Sequence, residues 1–225
     1  MPLNKQKGNM YGFITHTWNT IKGKCPFNCK YCYMKKFTQN EIHFDLSELK
    51  TRLGQHNFIF VGSSCDMFAN AIPSDWIQRT LAHCRKFSNQ YLFQTKNPKR
   101  FFEFTDFFPP QTTLCITLES DIDHHLGCAP APWPRCYQFK KCRFQYDKKF
   151  KYMVTIEPVL FFTPNDFYNM LLDLVPHQIN IGADSGNNKL NEPSRDQLLR
   201  LIKRLQKARI YVHQKPNLKR LLNNV

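Results

Sequence analysis

The chain has 225 residues, with 32 Lys or Arg and 17 Asp or Glu, so its formal net charge is +15 at pH 7. This length suits one α/β domain that needs no disulfide to bury its core. No run approaches about 18 apolar residues, and no apolar N-terminal segment resembles a signal peptide. We therefore expect a cytoplasmic protein with no membrane partner and with reduced cysteines. The charge indicates a polyanionic partner, most commonly nucleic acid, with a solubilising surface as the alternative.

Apolar runs alternate with helical patterns from residue 13 onward, after a polar segment over residues 1–12 that we expect to be a flexible lead-in. Strands are predicted over residues 13–18, 57–61, 90–94, 112–118, 152–156, 178–181 and 209–213. Helices are predicted over residues 45–53 and 74–87, and others begin at Asn97, Thr163 and Ser194.

This alternation predicts an α/β fold in which right-handed βαβ units curl into a parallel (β/α)6-type partial TIM barrel. We assign residues 13–225 to this single domain. Residues 123–151 interrupt the alternation, because 123–134 are rich in proline and 135–151 are basic and aromatic. We therefore interpret 123–151 as an irregular, basic insertion within the domain, helical in its middle.

Three cysteines lie close together at Cys25, Cys29 and Cys32. Thiolates gathered this tightly suit a soft metal centre, and iron–sulfur clusters are held by cysteine thiolates, usually four. No fourth cysteine occurs before Cys65, so a cluster bound here would keep one iron for a non-protein ligand. A zinc site is the alternative, but structural zinc prefers four ligands in paired short spacings, and no such partner follows.

The C-x3-C-x2-C spacing, with Tyr31 directly before the third cysteine, resembles the radical S-adenosylmethionine (SAM) superfamily. The resemblance implies that Cys25, Cys29 and Cys32 bind a [4Fe–4S] cluster whose open iron chelates SAM, and that Tyr31 lies near the adenine. It also implies that an electron donor such as flavodoxin or ferredoxin drives reductive cleavage of SAM. The resulting 5′-deoxyadenosyl radical would abstract hydrogen from the substrate.

Polar residues follow most of the predicted strands, at the edge where parallel α/β barrels collect their functional groups. In chain order they include Ser63, Ser64, Asp66, Thr95, Lys96, Glu119, Glu157, Asp184, Ser185, Gln214 and Lys215. Loops after strands are polar in any fold, so the convergence of these groups, and not any one of them, indicates a site.

The cysteine loop and segments 61–64, 117–119, 155–158 and 181–186, taken in order, resemble a phage and bacterial family of radical-SAM-like proteins with no settled function. That family is similar in general type to the spore photoproduct lyases. The resemblance implies that SAM is contacted by Gly62, Ser63, Ser64, Thr95, Glu119 and Glu157. The usual Gly-Gly-Glu is absent at residues 62–64, so the group that contacts the SAM amino group stays open. The candidate catalytic residues are Glu157, Asp184 and Cys128.

A second cysteine set is formed by Cys128, Cys136 and Cys142, with two histidines nearby. The spacing is loose for an auxiliary cluster or for zinc. A thiol that quenches a radical or donates hydrogen is a further interpretation, and simple packing is the favoured one.

The segment 135–151 interleaves cations with the rings of Tyr137, Phe139, Phe144 and Tyr146. This composition suits phosphate contact and base stacking, so we expect modification or repair of nucleic acid. An ordinary outer helix, whose lysines cover apolar rings, is the alternative. A peptide, a protein or a small nucleotide are other possible substrates. A metal-stabilised nucleic-acid-binding protein without catalysis is the alternative from a different class.

Overall fold

The computed structural model describes residues 3–6 and 10–223, and its centre is one eight-stranded sheet. The strands of the chain are β1 (Asn4–Lys5), β2 (His16–Trp18), β3 (Ile21–Lys22), β4 (His43–Phe44), β5 (Phe58–Val61), β6 (Gln90–Thr95), β7 (Thr112–Thr117), β8 (Lys151–Ile156), β9 (Gln178–Ile181) and β10 (Tyr211–Gln214). Strands β3 and β4 form a separate antiparallel pair. The order in the main sheet is β1-β2-β5-β6-β7-β8-β9-β10.

Every neighbouring pair from β2 to β10 is parallel, and only β1 runs antiparallel at the edge. The central strands are buried on both faces, as in β7, where all six residues are buried. The predicted α/β fold with a parallel partial barrel is therefore confirmed. The sheet has seven parallel strands, one for each of the seven strands predicted from the sequence.

Helices cover the outside of the sheet: α1 (Ser74–Cys84), α2 (Pro132–Gln145), α3 (Pro164–Asp173), α4 (Arg195–Lys207) and α5 (Lys219–Leu222). Four 3-10 helices cover Tyr33–Lys36, Leu46–Lys50, Pro98–Phe104 and Pro216–Leu218. Ser194 and Gln197 form the predicted capping box, which satisfies the first backbone N–H groups of α4. Within the described part of the chain, no helix is both long and apolar enough to cross a bilayer.

The inside of the curled sheet is filled by side chains from alternate strand positions, which share one face. A small buried cluster there contains Tyr11, Ile14, Phe60, Leu92, Cys115 and Met153. The Tyr11 hydroxyl lies 2.8 Å from Gln94 Oε1 and 2.9 Å from Thr155 Oγ1. Tyr11 thus fills the interior of the sheet and leaves the carboxyl ends of the strands as the place for a site.

Part of the predicted lead-in belongs to this architecture. Asn4–Lys5 forms β1 against β2, and Tyr11 is only 3% exposed. Residues 1, 2 and 7–9 of the lead-in lie outside the described residues. Residues 4 and 5 form β1 because the edge of β2 would otherwise be uncovered. Polar residues such as those of β1 are tolerated in an edge strand.

Helix α2 is the helix expected in the middle of residues 123–151. Helix α2 lies between β7 and β8, where the alternation requires a helix, and it buries Arg135, Cys136, Phe139 and Cys142. The irregular part is confined to the residues between the end of β7 and Pro132. The buried face of α2 contains an arginine and two cysteines, which weakens its apolar pattern in the sequence.

The helix predicted over residues 45–53 is reduced to the short 3-10 helix Leu46–Lys50. Lys22 Nζ lies 2.8 Å from Asp45 Oδ2 and 2.7 Å from Glu48 Oε1, so both carboxylates are drawn toward β3. This pairing leaves Leu46 56% exposed, although Leu46, Leu49 and Leu53 have the spacing of one helical face.

Candidate active site

The cysteine loop consists of residues 25–32 and contains two tight turns. Asn28 N donates to Cys25 O at 3.1 Å, and Cys32 N donates to Cys29 O at 3.1 Å. The thiols of Cys25, Cys29 and Cys32 are free and half-buried. Among residues 3–6 and 10–223, no three His, Cys, Asp or Glu side chains gather around a single ion. The loop therefore presents three available thiols without forming a one-ion site.

The loop is held from the other side by residues 126–128. Lys30 N donates to Leu126 O at 2.7 Å, and Cys128 N donates to Phe27 O at 2.8 Å. A Cβ at Gly127 would lie 2.5 Å from Phe27 O and 3.1 Å from Cys29 Cα, so only glycine permits this approach. These contacts place Cys128, a predicted catalytic candidate, beside the cysteine loop with an exposed side chain.

Glu119 lies at the centre of a buried ionic cluster that also contains Lys96, Arg135 and Tyr31. Lys96 Nζ is 2.9 Å from Glu119 Oε1, and Arg135 Nη1 is 2.9 Å from Glu119 Oε2. The Tyr31 hydroxyl donates to Glu119 Oε1, and Lys96 Nζ lies 5.2 Å from the centre of the Tyr31 ring. Three elements separated in sequence, the cysteine loop, the end of β6 and helix α2, thus meet at one carboxylate.

Glu119 stays ionised despite its burial. Burial alone would raise its pKa, but the charges of Lys96 and Arg135 lower the pKa overall. Burial, followed by the adjacent carboxylate, raises the pKa of Tyr31 well above its usual range, so that hydroxyl remains a donor.

The cluster carries an excess positive charge, because two cations face one carboxylate. Arg135 Nη1 also donates to Thr117 O at 2.8 Å, but Arg135 Nε has no hydrogen-bond partner within the described residues. A buried guanidinium with an unused N–H is suited to a carboxylate or another anion. The arrangement can therefore hold the anionic end of a ligand next to the cysteine loop.

Gly62, Ser63 and Ser64 follow β5 and are oriented by the loop after β2. Asn19 Oδ1 accepts from Ser63 Oγ at 3.2 Å and from Ser64 N at 3.1 Å, while Tyr33 Oη donates to Ser63 O at 2.9 Å. Gly62 has a φ of +80°, a left-handed conformation that favours glycine. The Ser64 hydroxyl is buried and has no hydrogen-bond partner within the described chain.

Thr95 is placed differently from its prediction as a cofactor contact. Its hydroxyl donates to Asp66 Oδ1 at 2.8 Å and accepts from Asn97 N at 2.8 Å, and its side chain is 1% exposed. Both bonds belong to the fold. The neighbouring Lys96, and not Thr95, reaches the ionic cluster.

Glu157 forms a second buried ion pair, one strand further along the sheet. Lys215 Nζ lies 2.8 Å and 2.6 Å from its two carboxylate oxygens and 4.8 Å from the centre of the Tyr11 ring. A Cβ at Gly182 would lie 2.9 Å from Glu157 Oε1, so the absence of a side chain there leaves room for the carboxylate. Asn217 Oδ1 is buried nearby and lacks a partner within the described residues.

Asp184 organises the loop after β9. Its carboxylate accepts from Gly186 N at 3.0 Å, Asn188 N at 2.6 Å and Asn188 Nδ2 at 2.8 Å. Burial alone would raise the pKa of Asp184, but these hydrogen bonds lower it overall. The geometry therefore favours a turn-forming role over proton transfer.

The second cysteine set, Cys128, Cys136 and Cys142, does not form one common site. Cys136 and Cys142 are buried in the core side of α2, where burial raises the pKa of each thiol to about 12. Cys128 is exposed beside the cysteine loop. Cys136 and Cys142 therefore pack in the core, and of these three thiols only that of Cys128 is accessible to a ligand.

One cavity, with a volume of about 40 Å³, connects the cysteine loop with the ionic cluster. Its walls include Cys29, Tyr31, Lys96, Glu119 and Arg135. The structure thus brings a predicted metal ligand together with two predicted cofactor contacts. Glu157 and Asp184 lie outside this cavity.

Three residues of this site are not among the SAM contacts predicted from the sequence. Lys96 is one of the predicted strand-end residues, but the SAM contact predicted at that strand is Thr95. Arg135 was assigned to the basic surface, although its helical spacing with Cys136, Phe139 and Cys142 places it on the inner face. Asn19 carries no motif, and only the structure reveals its contact with Ser64.

No protein-family model matches the sequence, and no curated protein sequence matches it either. Solved structures do match. A spore photoproduct lyase mutant has a TM-score of 0.65 and 8% identity, with 95% of this chain and 80% of the lyase aligned. A lyase mutant with dinucleoside spore photoproduct has a TM-score of 0.59 and 10% identity, with 92% of this chain and 65% of that lyase chain aligned.

A further match is SuiB of Streptococcus suis bound to S-adenosylmethionine. Its TM-score is 0.59 and its identity 10%, with 88% of this chain and 49% of SuiB aligned. The chain therefore spans about half the length of SuiB. The likeness to an uncharacterised phage and bacterial family stays a prediction. The chain therefore shares its fold with spore photoproduct lyase and with S-adenosylmethionine-bound SuiB.

Proposed function

We propose that the chain is a radical SAM enzyme that binds a [4Fe–4S] cluster through Cys25, Cys29 and Cys32. When bound, the cluster would supply the chemistry, which is the reductive cleavage of SAM that yields a 5′-deoxyadenosyl radical. The observation that carries the proposal is the cavity whose walls include Cys29 and the buried, positively charged cluster of Lys96, Glu119 and Arg135.

The residues present fit an iron–sulfur cluster better than one zinc ion. Three free thiols lie on one loop, and the described residues contain no set of three ligands gathered around a single point. A cubane spreads three thiolates over three irons, whereas zinc collects its ligands around one ion. The backbone contacts of Leu126 and Cys128 hold the loop in position for this purpose.

The residues around the cavity fit the polar parts of SAM. Arg135 and Lys96 suit the carboxylate, because both are buried and together exceed the charge of Glu119. The Ser64 hydroxyl, outside the lining of this cavity, has no partner among the described residues and stands at the place that the resemblance gives to the amino-group contact. Tyr31, fixed by its bond to Glu119, provides a ring at the rim.

The remaining candidates surround this core. Glu157 is held by Lys215 and offers a carboxylate to SAM or to the substrate. Cys128 is an exposed thiol that is available as a hydrogen donor beside the cysteine loop. We assign Asp184 a positioning role through its turn.

We propose nucleic acid as the substrate, with modification or repair as the reaction, and flavodoxin or ferredoxin as the electron donor. The net charge of +15 supports this substrate class. Among the structural neighbours, the lyase was solved with dinucleoside spore photoproduct. SuiB was solved with the precursor peptide SuiA, which supports a peptide substrate as the second candidate.

Anaerobic reconstitution with iron, sulfide, SAM and a reductant tests the enzyme class. We expect a brown protein that releases 5′-deoxyadenosine, measured by chromatography and mass spectrometry. Arg135→Gln should keep its iron but weaken SAM binding, measured by equilibrium dialysis. Arg143→Gln, at an arginine of the same helix that does not line the cavity, is the matched control and should bind SAM normally. A colourless protein with one zinc and no SAM cleavage would instead support a non-catalytic nucleic-acid-binding protein.

A further inference from the structure

The outer face of α2 carries a line of exposed aromatic rings. Trp133, Tyr137 and Phe144 are 53%, 60% and 61% exposed, although large aromatic side chains gain most when they are buried. With Lys141, their spacing of four, four and three residues places them on one face of the helix. We call these four residues the α2 stripe.

The stripe combines rings with positive charge. Lys141 Nζ lies 5.8 Å from the centre of the Tyr137 ring, and Lys141 is itself exposed. Residues 135–151 contain seven Lys or Arg and one acidic residue. Several of these cations are paired on other faces, as in Lys140 with Asp173 at 2.7 Å. The stripe thus offers flat apolar surfaces within a positive field.

The stripe also leads to the candidate site. Helix α2 begins at Pro132, which lines the cavity that contains Cys29, and Trp133 is the next residue. From Trp133 to Phe144 the helix axis rises by about 16 Å, at about 1.5 Å per residue. A strand lying along the stripe therefore has one end at the mouth of the cavity.

We infer that the α2 stripe binds single-stranded DNA by stacking unpaired bases on Trp133, Tyr137 and Phe144 while Lys141 contacts phosphate. The inference rests on the proposed nucleic-acid substrate and names the surface that recognises it. Aromatic rings with interleaved cations are the means by which proteins hold single strands without reading their sequence.

Other occupants fit the stripe less well. Duplex DNA is read in the major groove by Arg, Asn and Gln side chains, and its bases offer no free faces to rings. A second copy of the chain would bring together two surfaces of the same positive charge. Proteins that prefer RNA to DNA contact the 2′-hydroxyl. The stripe offers stacking and charge, which do not depend on that group, so RNA gains nothing on it over DNA.

Binding is measured with the full chain by anisotropy of a labelled short oligothymidylate, without SAM or reductant. Tyr137→Ala and Phe144→Ala should each weaken binding by roughly 5- to 150-fold, the usual range for one lost stacking contact. Tyr211→Ala removes an equally exposed ring, 62% exposed, from the distant strand β10 and should leave the affinity unchanged. Lys141→Gln should lower the salt dependence by about 0.7 in logarithmic slope.

Tryptophan fluorescence gives an independent readout, because Trp18 is 1% exposed, Trp76 is half-buried against Phe44, and only Trp133, which is 53% exposed, lies on the stripe. Unlabelled oligothymidylate should quench the emission, and Trp133→Phe should abolish the quenching. Circular dichroism verifies that each variant is folded.

Four results would overturn the inference: wild-type affinity in Tyr137→Ala and Phe144→Ala, tighter binding of duplex DNA, severalfold tighter binding of RNA, or equal competition by polyglutamate. These failures are separable from failure of the enzyme proposal. If the stripe variants bind normally while 5′-deoxyadenosine forms, only the stripe is wrong. If the stripe binds DNA and SAM is never cleaved, only the enzyme proposal fails.

Discussion

Replacing Glu119 with Gln should destabilise the protein strongly, because it removes the only carboxylate paired with two buried cations in the ionic cluster. The side chains of Glu119, Lys96 and Arg135 are 9%, 12% and 6% exposed. Removing one partner of a buried ion pair typically costs about 3–5 kcal/mol, since an uncompensated charge remains. At about 2–4 °C per kcal/mol for a chain of this size, the unfolding midpoint should fall by roughly 6–20 °C.

Thermal and urea unfolding of Glu119→Gln, in the same cofactor state as the wild type, measure this loss. The double variant Glu119→Gln/Lys96→Met should recover part of it, because only Arg135 then lacks a counter-charge. Asp173→Asn breaks an exposed pair and should unfold like the wild type. If Glu119→Gln lowers the free energy of unfolding by less than about 1 kcal/mol, the buried charges of the cluster do not depend on Glu119, and the reasoning is refuted.

The same pair of proteins gives a pH prediction. The folded pKa of Glu119 is lowered, so its ionisation stabilises the folded state above the unfolded pKa of about 4.3. The difference in unfolding free energy between wild type and Glu119→Gln should therefore be complete at neutral pH. It should shrink as the pH falls below about 4.3, and a gap that widens in acid would contradict the assignment.

Three further predictions concern the cysteine loop and the helices. Gly127→Ala should lower the thermal midpoint and the iron content, whereas Gly12→Ala, which has no neighbour within 4 Å of its added Cβ, should change neither. Cys29→Ser should lose the iron–sulfur absorbance and the bound iron, and Cys84→Ala, a buried core position, should retain both; loss of iron in the latter would disprove the ligand assignment. Ser194→Ala removes the cap of α4 and should cost about 1 kcal/mol in urea unfolding, and an unchanged midpoint would contradict its role.

The regular part of the fold was predictable because it depends on local patterns. Continuous apolar runs predicted the buried parallel strands, and the Ser194 capping box marked the start of α4 correctly. Asn97 illustrates a partial success. A helix does follow it, but its side chain donates to Phe68 O and Asn70 Oδ1 and caps nothing.

The site was predictable only in part, because its central contacts join residues far apart in sequence. The spacing of Cys25, Cys29 and Cys32 identified the loop without any tertiary information. Arg135 and Glu119 are 16 positions apart, and their pairing depends on how α2 packs against β7. An arginine that begins a basic, aromatic segment looks like surface in a sequence, and only the helical register reveals that this one is buried.

The contact between residues 126–128 and the cysteine loop sets an order for assembly. The thiols of Cys25, Cys29 and Cys32 emerge early in synthesis, but two of the backbone bonds that shape their loop come from about 100 residues later. A nascent chain that ends before Leu126 carries all three cysteines of the proposed cluster and lacks two of the backbone bonds that shape their loop. If the loop binds the proposed cluster, loading therefore belongs after the β7–α2 connection is made, and maturation of the cluster is coupled to folding of the barrel.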